Sequence, residues 1–356
     1  MTDPMNDDLT RTPPATPTFD PDAAATAEGL FGLDLDPLQA RVQVIPVPWE
    51  ATASYGRGTR HGPAAVLRAS RQVDLEDPDF GPVWEAGIGL LDLGDGVQRA
   101  SDRVEADALA VIESGGQRPD LAARVDRVAD EVQLNVQAQA ARILADGRIP
   151  AVLGGDHSTP FGLHKAICRA FPGVGFLHID AHADLRQAFL GFRHSHASIF
   201  HNTMGLPGAG RLVGVGWRDI GSAERARIAE DPRIRPFFDH DIARELAGGG
   251  TWRDIAARIV EALPPVVHIS VDIDGLDPTL CPSTGTPVPG GLSFRDLQVL
   301  LRLLASERKV VGFDLVEVNP GRWPLEDHER DGIDAIVGAR VLYKLAGCAL
   351  SSTGLG

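Results

Sequence analysis

The chain has 356 residues, 43% of them hydrophobic, and a net charge of −15 from 49 acidic and 34 basic side chains. This ordinary globular composition fits one large α/β domain or about two smaller ones, and the acidic balance argues against a dedicated binder of nucleic acid or anionic membrane. Three scattered cysteines, Cys168, Cys281 and Cys348, exclude a disulfide framework or a cysteine zinc site, and the absence of an 18-residue apolar run or a basic-apolar start predicts a cytoplasmic protein.

Residues 1 to 25 are polar, acidic and proline-rich, and are expected to be disordered or loosely packed. Residues 26 to 356 are expected to form a single catalytic domain. The first part of it, AEGLFGLDLDPL, would pack on the surface or fold over a pocket. From position 42, short Val- and Ile-rich runs alternate with amphipathic stretches. The predicted strands are Val42–Val47, Pro150–Leu153, Val174–Ile179, Leu212–Gly216, Val266–Ile273 and Val310–Val316. The predicted helices are Gly62–Val73, Leu121–Asp146, Phe161–Ala170, Ala223–Ala229, Thr251–Ala262, Ser293–Ala305 and Ile333–Leu345. Leu121, Val125, Val128, Val132, Val136 and Ile143 draw one helical face. Ser293 with Asp296 three residues on marks a helix start. Apolar strands alternating with helices predict a parallel sheet covered on both faces. Such sheets bind ligands beyond the carboxyl ends of their strands.

Three segments carry the acids and imidazoles: LGGDHS at 153–158, HIDAHADLR at 178–186 and HISVDIDGLDP at 268–278. Each follows an apolar, strand-like run. Asp180, His182 and Asp184 alternate, as do Asp272 and Asp274, so a strand continued outward would aim each set to one side. His157 comes from the first loop. Four carboxylates gathered together repel, and a pair of divalent cations would resolve the repulsion. Oxygen and imidazole ligands without thiolate suit Mn²⁺, Ni²⁺, Fe²⁺ or Zn²⁺. Two cations with a hydroxide between them would supply a nucleophile at neutral pH.

The motifs GGDHS, DAHADLR and SVDIDGLDP resemble those of the ureohydrolases, the arginase–agmatinase family. YGRGTRHGPAAVLRAS, GTPVPGGL and DLVEVNP agree, and the likeness runs from about Ser54 to Leu345. It implies a three-layer α/β fold around an eight-stranded parallel sheet, and trimers or hexamers, with a paralogous partner subunit as an alternative. It implies two metals, Mn²⁺ or Ni²⁺. His157, Asp180, Asp184 and Asp272 would hold one; His182, Asp180, Asp272 and Asp274 would hold the other. Two other classes are less compatible with these residues: a non-catalytic subunit would be expected to lose ligands, and the related deacetylases use one zinc.

By the same likeness, Glu317 would pair with a guanidinium, Thr286 would line the pocket, and Asp184 would hold the hydroxide and relay its proton. His196, in SHAS, would protonate the leaving amine, an imidazole of ordinary pKa being suited to that task; His194 is the fallback. His178 and His268 point the other way along their strands, as core or supporting residues. Arg186 stands where arginase has an asparagine, and Gly221 where it has an amine-gripping acid, so free arginine is an unlikely substrate. Arg186 would receive a carboxylate or bind the scaffold, and Asp219 would grip an ammonium. Trp49, Phe189, Phe192, Phe200 and Trp217 would close a small pocket. The expected substrate is a short guanidine, alkylguanidine or biguanide, with agmatine or guanidinobutyrate as alternatives.

Overall fold

The computed structural model describes residues 19–25, 27–326 and 329–352. Most of the N-terminal segment, residues 1–18, lies outside the described residues. Eight strands form one wholly parallel sheet: β1 (Val42–Val47), β2 (Ile88–Leu90), β3 (Ile149–Gly154), β4 (Val174–Ile179), β5 (Ala209–Val215), β6 (Ile234–Phe237), β7 (Val266–Asp272) and β8 (Lys309–Val316). Their spatial order is β2-β1-β3-β8-β7-β4-β5-β6. The six strands expected from the sequence are all present. The two added ones, β2 and β6, are short edge strands. IGL is too brief to show a period, and IRPF carries an arginine and a proline.

Alternation along the strands builds two cores. Val42 and Val44 of β1 and Leu177 and Ile179 of β4 join one apolar cluster. Ile45 and Val47, with Val174 and Phe176, join the other. Helices α1 (Gly62–Ser70), α8 (Trp252–Ala262), α9 (Phe294–Glu307) and α10 (Ile333–Ser352) cover the first face. Helices α2 (Gly96–Glu113), α3 (Pro119–Ala145), α4 (Phe161–Ala170) and α5 (Ile199–Met204) cover the second. Two more helices, α6 (Ser222–Glu230) and α7 (Asp239–Ala247), flank β6. The sequence reading did not anticipate α2, although Val104, Ala108 and Val111 give it a buried stripe at helical spacing. Among the described residues, no helix is long and apolar enough to cross a membrane.

The stretch after residue 26 packs into the core. Phe31 is buried, its ring lies 4.8 Å from that of Tyr343, and its N–H donates to Ser70 Oγ at 2.9 Å. No described residue of this stretch lines the site cavity.

The strand order reverses direction between β3 and β4, which are consecutive in the chain but separated in the sheet by β8 and β7. These four strands are neighbours at the sheet centre, and the three acid- and histidine-rich segments, with Glu317, follow their carboxyl ends. This is where a parallel sheet opens a crevice. Tight backbone contact fixes the crevice floor. A Cβ on Gly275 would lie 2.6 Å from the Asp180 nitrogen and 2.9 Å from its Cα. Gly275→Ala should therefore displace Asp180 and lower stability by about 1–3 kcal/mol, the usual cost of overpacking. Urea denaturation and metal affinity would measure this; a variant unchanged in both would show that the loop yields freely.

Candidate metal centre and active site

The strands stop earlier than the alternation argument assumed. β4 ends at Ile179, so Asp180, His182 and Asp184 lie in the following loop. β7 ends at Asp272, and the chain tightens into a 3-10 turn at Ile273–Gly275. Convergence comes from these turns, with the Asp274 N–H donating to Asp272 Oδ1 at 2.9 Å and the His182 N–H to Asp180 Oδ1 at 2.5 Å. Asp184 and Glu317 hold left-handed backbone, φ 53° and 60°. Each such residue costs on the order of 1–3 kcal/mol and persists where its surroundings dictate it. Here the Asp184 carbonyl accepts from Phe200 and His201, while the Glu317 N–H donates to the Gly155 carbonyl and the Glu317 carbonyl accepts from Thr284 Oγ1.

All six expected metal ligands converge. His157 Nδ1 lies 3.1 Å from Asp180 Oδ2, 3.1 Å from Asp184 Oδ2 and 3.2 Å from Asp272 Oδ2. His182 Nδ1 lies 3.2 Å from Asp274 Oδ2 and 3.4 Å from Asp180 Oδ1. These are two lobes, one around each imidazole, joined at Asp180.

The surrounding hydrogen bonds orient the rings. Ser270 Oγ donates to Asp314 Oδ1 at 2.7 Å, so it accepts from His157 Nε2–H at 3.0 Å. That leaves His157 Nδ1 buried and facing three carboxylate oxygens; burial opposes a charge on the ring, but Asp180, Asp184 and Asp272 hold its pKa well above the ordinary value. The Trp217 indole, which can only donate, gives its N–H to His178 Nδ1 at 3.2 Å. His178 Nε2–H therefore donates to Asp180 Oδ2 at 2.8 Å. Asp314 accepts from His268 Nε2 at 2.6 Å and His164 Nε2 at 3.1 Å. His178 and His268 are thus supporting residues, as expected. Asp314, Ser270 and His164 escaped the sequence reading because they lie within or behind the apolar elements.

The charge balance is one-sided. Burial, then the charges of Asp274 and Asp180, hold Asp272 well above the usual carboxylate range. Burial and Asp180 push Asp184 up to about 7. Burial opposes ionisation of Asp180 too, but His178, His157 and His182 together hold it well below the usual range. Glu317 is held well up by burial, Asp272 and Asp156. Burial opposes a charge on His182 as well, but Asp274 and Asp180 push it up to about 12. Four carboxylates thus share two imidazoles, and oxygen and imidazole donors in excess of the protons between them fit divalent cations.

A cavity of about 160 Å³ opens onto this centre, lined by His157, His182, Asp184, Asp272, Thr286 and Glu317 on the floor side. The Thr286 hydroxyl is 3.4 Å from Asp274 Oδ2. Glu317 Oε1 accepts the His157 N–H at 2.8 Å. His196 also lines the cavity, with Phe189 edge-on at 5.8 Å. Burial, reinforced by the rings of His182 and His157, pushes His196 down to about 4, well below the ordinary value assumed from sequence. His194 is turned to α3, 2.8 Å from Asp130, and does not line the cavity. Among the five aromatics expected to close the pocket, only Phe189 lines it; Trp49, Phe192, Phe200 and Trp217 belong to the core. All four are buried in the apolar cluster on the second face of the sheet.

Arg186, Asp219 and Glu224 line the cavity beyond the metal ligands. Glu224 was not anticipated. It sits in the first turn of α6, accepts the Leu185 N–H at 3.0 Å and the Gly221 N–H at 2.9 Å, and has Arg186 Nε at 3.6 Å. An acid three residues into a helix was the available signal. The Arg186 guanidinium also lies over Phe189, 5.0 Å from the ring centre.

The Arginase family profile matches residues 40–347. The chain belongs to the arginase family. It is 37% identical to the N(1)-aminopropylagmatine ureohydrolase of Thermus thermophilus over 79% of this chain and 84% of that protein. It is 30% identical to the proclavaminate amidinohydrolase of Streptomyces clavuligerus, over 88% and 90% respectively. The crystal structure of the Thermoplasma volcanium agmatine ureohydrolase superposes with a TM-score of 0.70 at 24% identity, covering 92% of this chain and 96% of that one. This arginase-family chain is therefore a hydrolase of guanidino compounds that cleaves amidino C–N bonds, in a family that works with two divalent cations. Because cations bind the folded site and not the unfolded chain, Mn²⁺ should raise the thermal transition of chelator-treated protein. A transition that ignores Mn²⁺ would mean that the acids are neutralised by protons instead.

Proposed function

We propose that the enzyme releases urea from a short guanidino compound (guanidine, an alkylguanidine or a biguanide) with a pair of Mn²⁺ or Ni²⁺ ions. His157, Asp180, Asp184 and Asp272 would hold one ion; His182, Asp180, Asp272 and Asp274 would hold the other. The observation that carries this reading is His157 Nδ1, buried and faced by three carboxylate oxygens within 3.2 Å. When bound, the ions supply an acidified water and a positive field for the charge that develops on the attacked carbon's substituents.

The remaining tasks fall to side chains. A guanidinium carbon is a poor electrophile because resonance spreads its charge, so the cation must be held still and oriented. Glu317 is suited to pair with it: its carboxylate reaches the cavity and is itself fixed by the His157 N–H. Thr286 offers a hydroxyl on the same wall. Asp184 would accept a hydrogen bond from the attacking water. His196 would carry a proton to the departing nitrogen; burial keeps its ring neutral at rest.

The tail preference rests on the far wall. Gly221 offers no acid, and the Glu224 carboxylate is engaged by two N–H groups and Arg186. Arg186 and Glu224 offset each other at that wall, so this pair offers no open charge to a charged tail, which supports a substrate with none. Agmatine is the second reading, supported by Asp219 on the cavity wall and by the agmatinase of Halalkalibacterium halodurans, 32% identical over 81% of this chain. Guanidinobutyrate would be the third, with Arg186 as its carboxylate partner. Urea release from guanidine, methylguanidine, dimethylbiguanide, agmatine, guanidinobutyrate and arginine, with Mn²⁺ and Ni²⁺ in turn, tests this. Turnover is expected for the compounds without a charged tail. Agmatine as the best substrate would overturn the tail assignment and make Asp219 the ammonium partner.

A further inference from the structure

Thr52 lies in the loop after β1 and is fully buried, yet none of the roles above uses it. Its hydroxyl sits between two groups of the site. Thr52 Oγ1 is 3.2 Å from Asp156 Oδ2 on one side and 3.1 Å from His196 Nδ1 on the other. The His196 N–H also donates to the same oxygen at 3.1 Å. Asp156 is equally buried. Its Oδ2 accepts the Thr52 N–H at 3.2 Å, and its Oδ1 accepts the N–H and hydroxyl of Ser158 at 3.0 and 2.5 Å.

A hydroxyl has one proton to give and two lone pairs. The carboxylate is the stronger acceptor and takes that proton. Both lone pairs of Thr52 Oγ1 then face donors: the His196 backbone N–H and the His196 ring at Nδ1. His196 must therefore carry its proton on Nδ1, leaving Nε2 as the basic nitrogen of a ring that lines the cavity. Phe189 packs edge-on against the ring and limits its rotation.

We infer that Thr52, held by Asp156, is a positioning residue that sets the tautomer and orientation of His196. The inference rests on His196 as the proton carrier proposed above. In the step it serves, the attacking water bonds to the guanidino carbon and loses a proton, which Nε2 takes up. The C–N bond then breaks, the departing nitrogen takes that proton from Nε2, and the second proton of the former water leaves its oxygen for the released amine as the C=O of urea forms. The Nδ1 proton stays on the ring, donated to Thr52 Oγ1 throughout, so the ring returns to its starting form.

The test uses full-length, metal-loaded enzyme and the panel compound hydrolysed fastest, with kcat, KM and metal content measured for each variant. Thr52→Val keeps the shape and removes the hydroxyl. It should lower kcat about 10–100-fold, the usual effect of losing such a support, with KM and metal content unchanged. Thr52→Ser should restore most of the rate. In a His196→Ala background, Thr52→Val should cost nothing further. If Thr52→Val folds poorly, Thr52→Ala is read in the same way. A normal kcat in Thr52→Val while His196→Ala is slow would overturn the positioning role alone. A normal kcat in His196→Ala would overturn the proton-carrier reading beneath it. Lost metal, or an equal loss in the His196→Ala background, would show that Thr52 only supports the fold.

Discussion

The structure depends on a crowd of buried carboxylates at the mouth of one sheet. Ligand atoms of Asp180 and Asp184 lie within 4.8 Å of each other, as do those of Asp180 and Asp274. At an effective dielectric of about 20, each such pair of charges repels by about 3–4 kcal/mol. Two pairs alone approach the about 5–15 kcal/mol that keeps a whole domain folded. The fold tolerates the cluster because its acids are fixed at the ends of adjacent central strands and in the turns that follow them, and because positive charge can enter between them. The hydrogen-bonded supports belong to the same account. Trp217 turns His178 toward Asp180, and Asp314 turns Ser270 toward His157. Each fixes the orientation of a side chain that faces the cluster.

Chemistry and selectivity occupy different parts of the cavity. The floor, from β3, β4, β7 and β8, is equipped for any guanidino head group. In the proposed reading, the wall made by the loop after β4 and the start of α6 would decide the tail. There Arg186 and Glu224 satisfy one another, so the wall is nearly self-neutralised. The same catalytic floor can serve different substrates in different relatives when only this wall changes.

The parallel α/β architecture was legible because β-branched runs alternate with helical stripes. The gathering of these acids and imidazoles was legible because each sits at or a few residues beyond the end of such a run. What the sequence hid were contacts between distant segments. Thr52 meets Asp156 and His196 across 104 and 144 residues, and no local pattern marks that meeting. The aromatics misled for a related reason: position after a strand does not say whether a ring turns to the cavity or the core, and Trp217 turned inward to His178. The edge strands β2 and β6 were too short to show a period. His196 was placed correctly on the cavity wall, but its low proton affinity comes from burial, which the tripeptide around it cannot reveal.

The central claim is that the cluster holds two cations in separable lobes. The most direct test is the metal content of Mn²⁺-reconstituted protein, counted by mass spectrometry beside its urea release. The account predicts two ions per chain in the native protein. In Asp274→Ala it predicts one, with nearly all turnover lost. A single ion in the native chain, or two ions and full activity in Asp274→Ala, would contradict it.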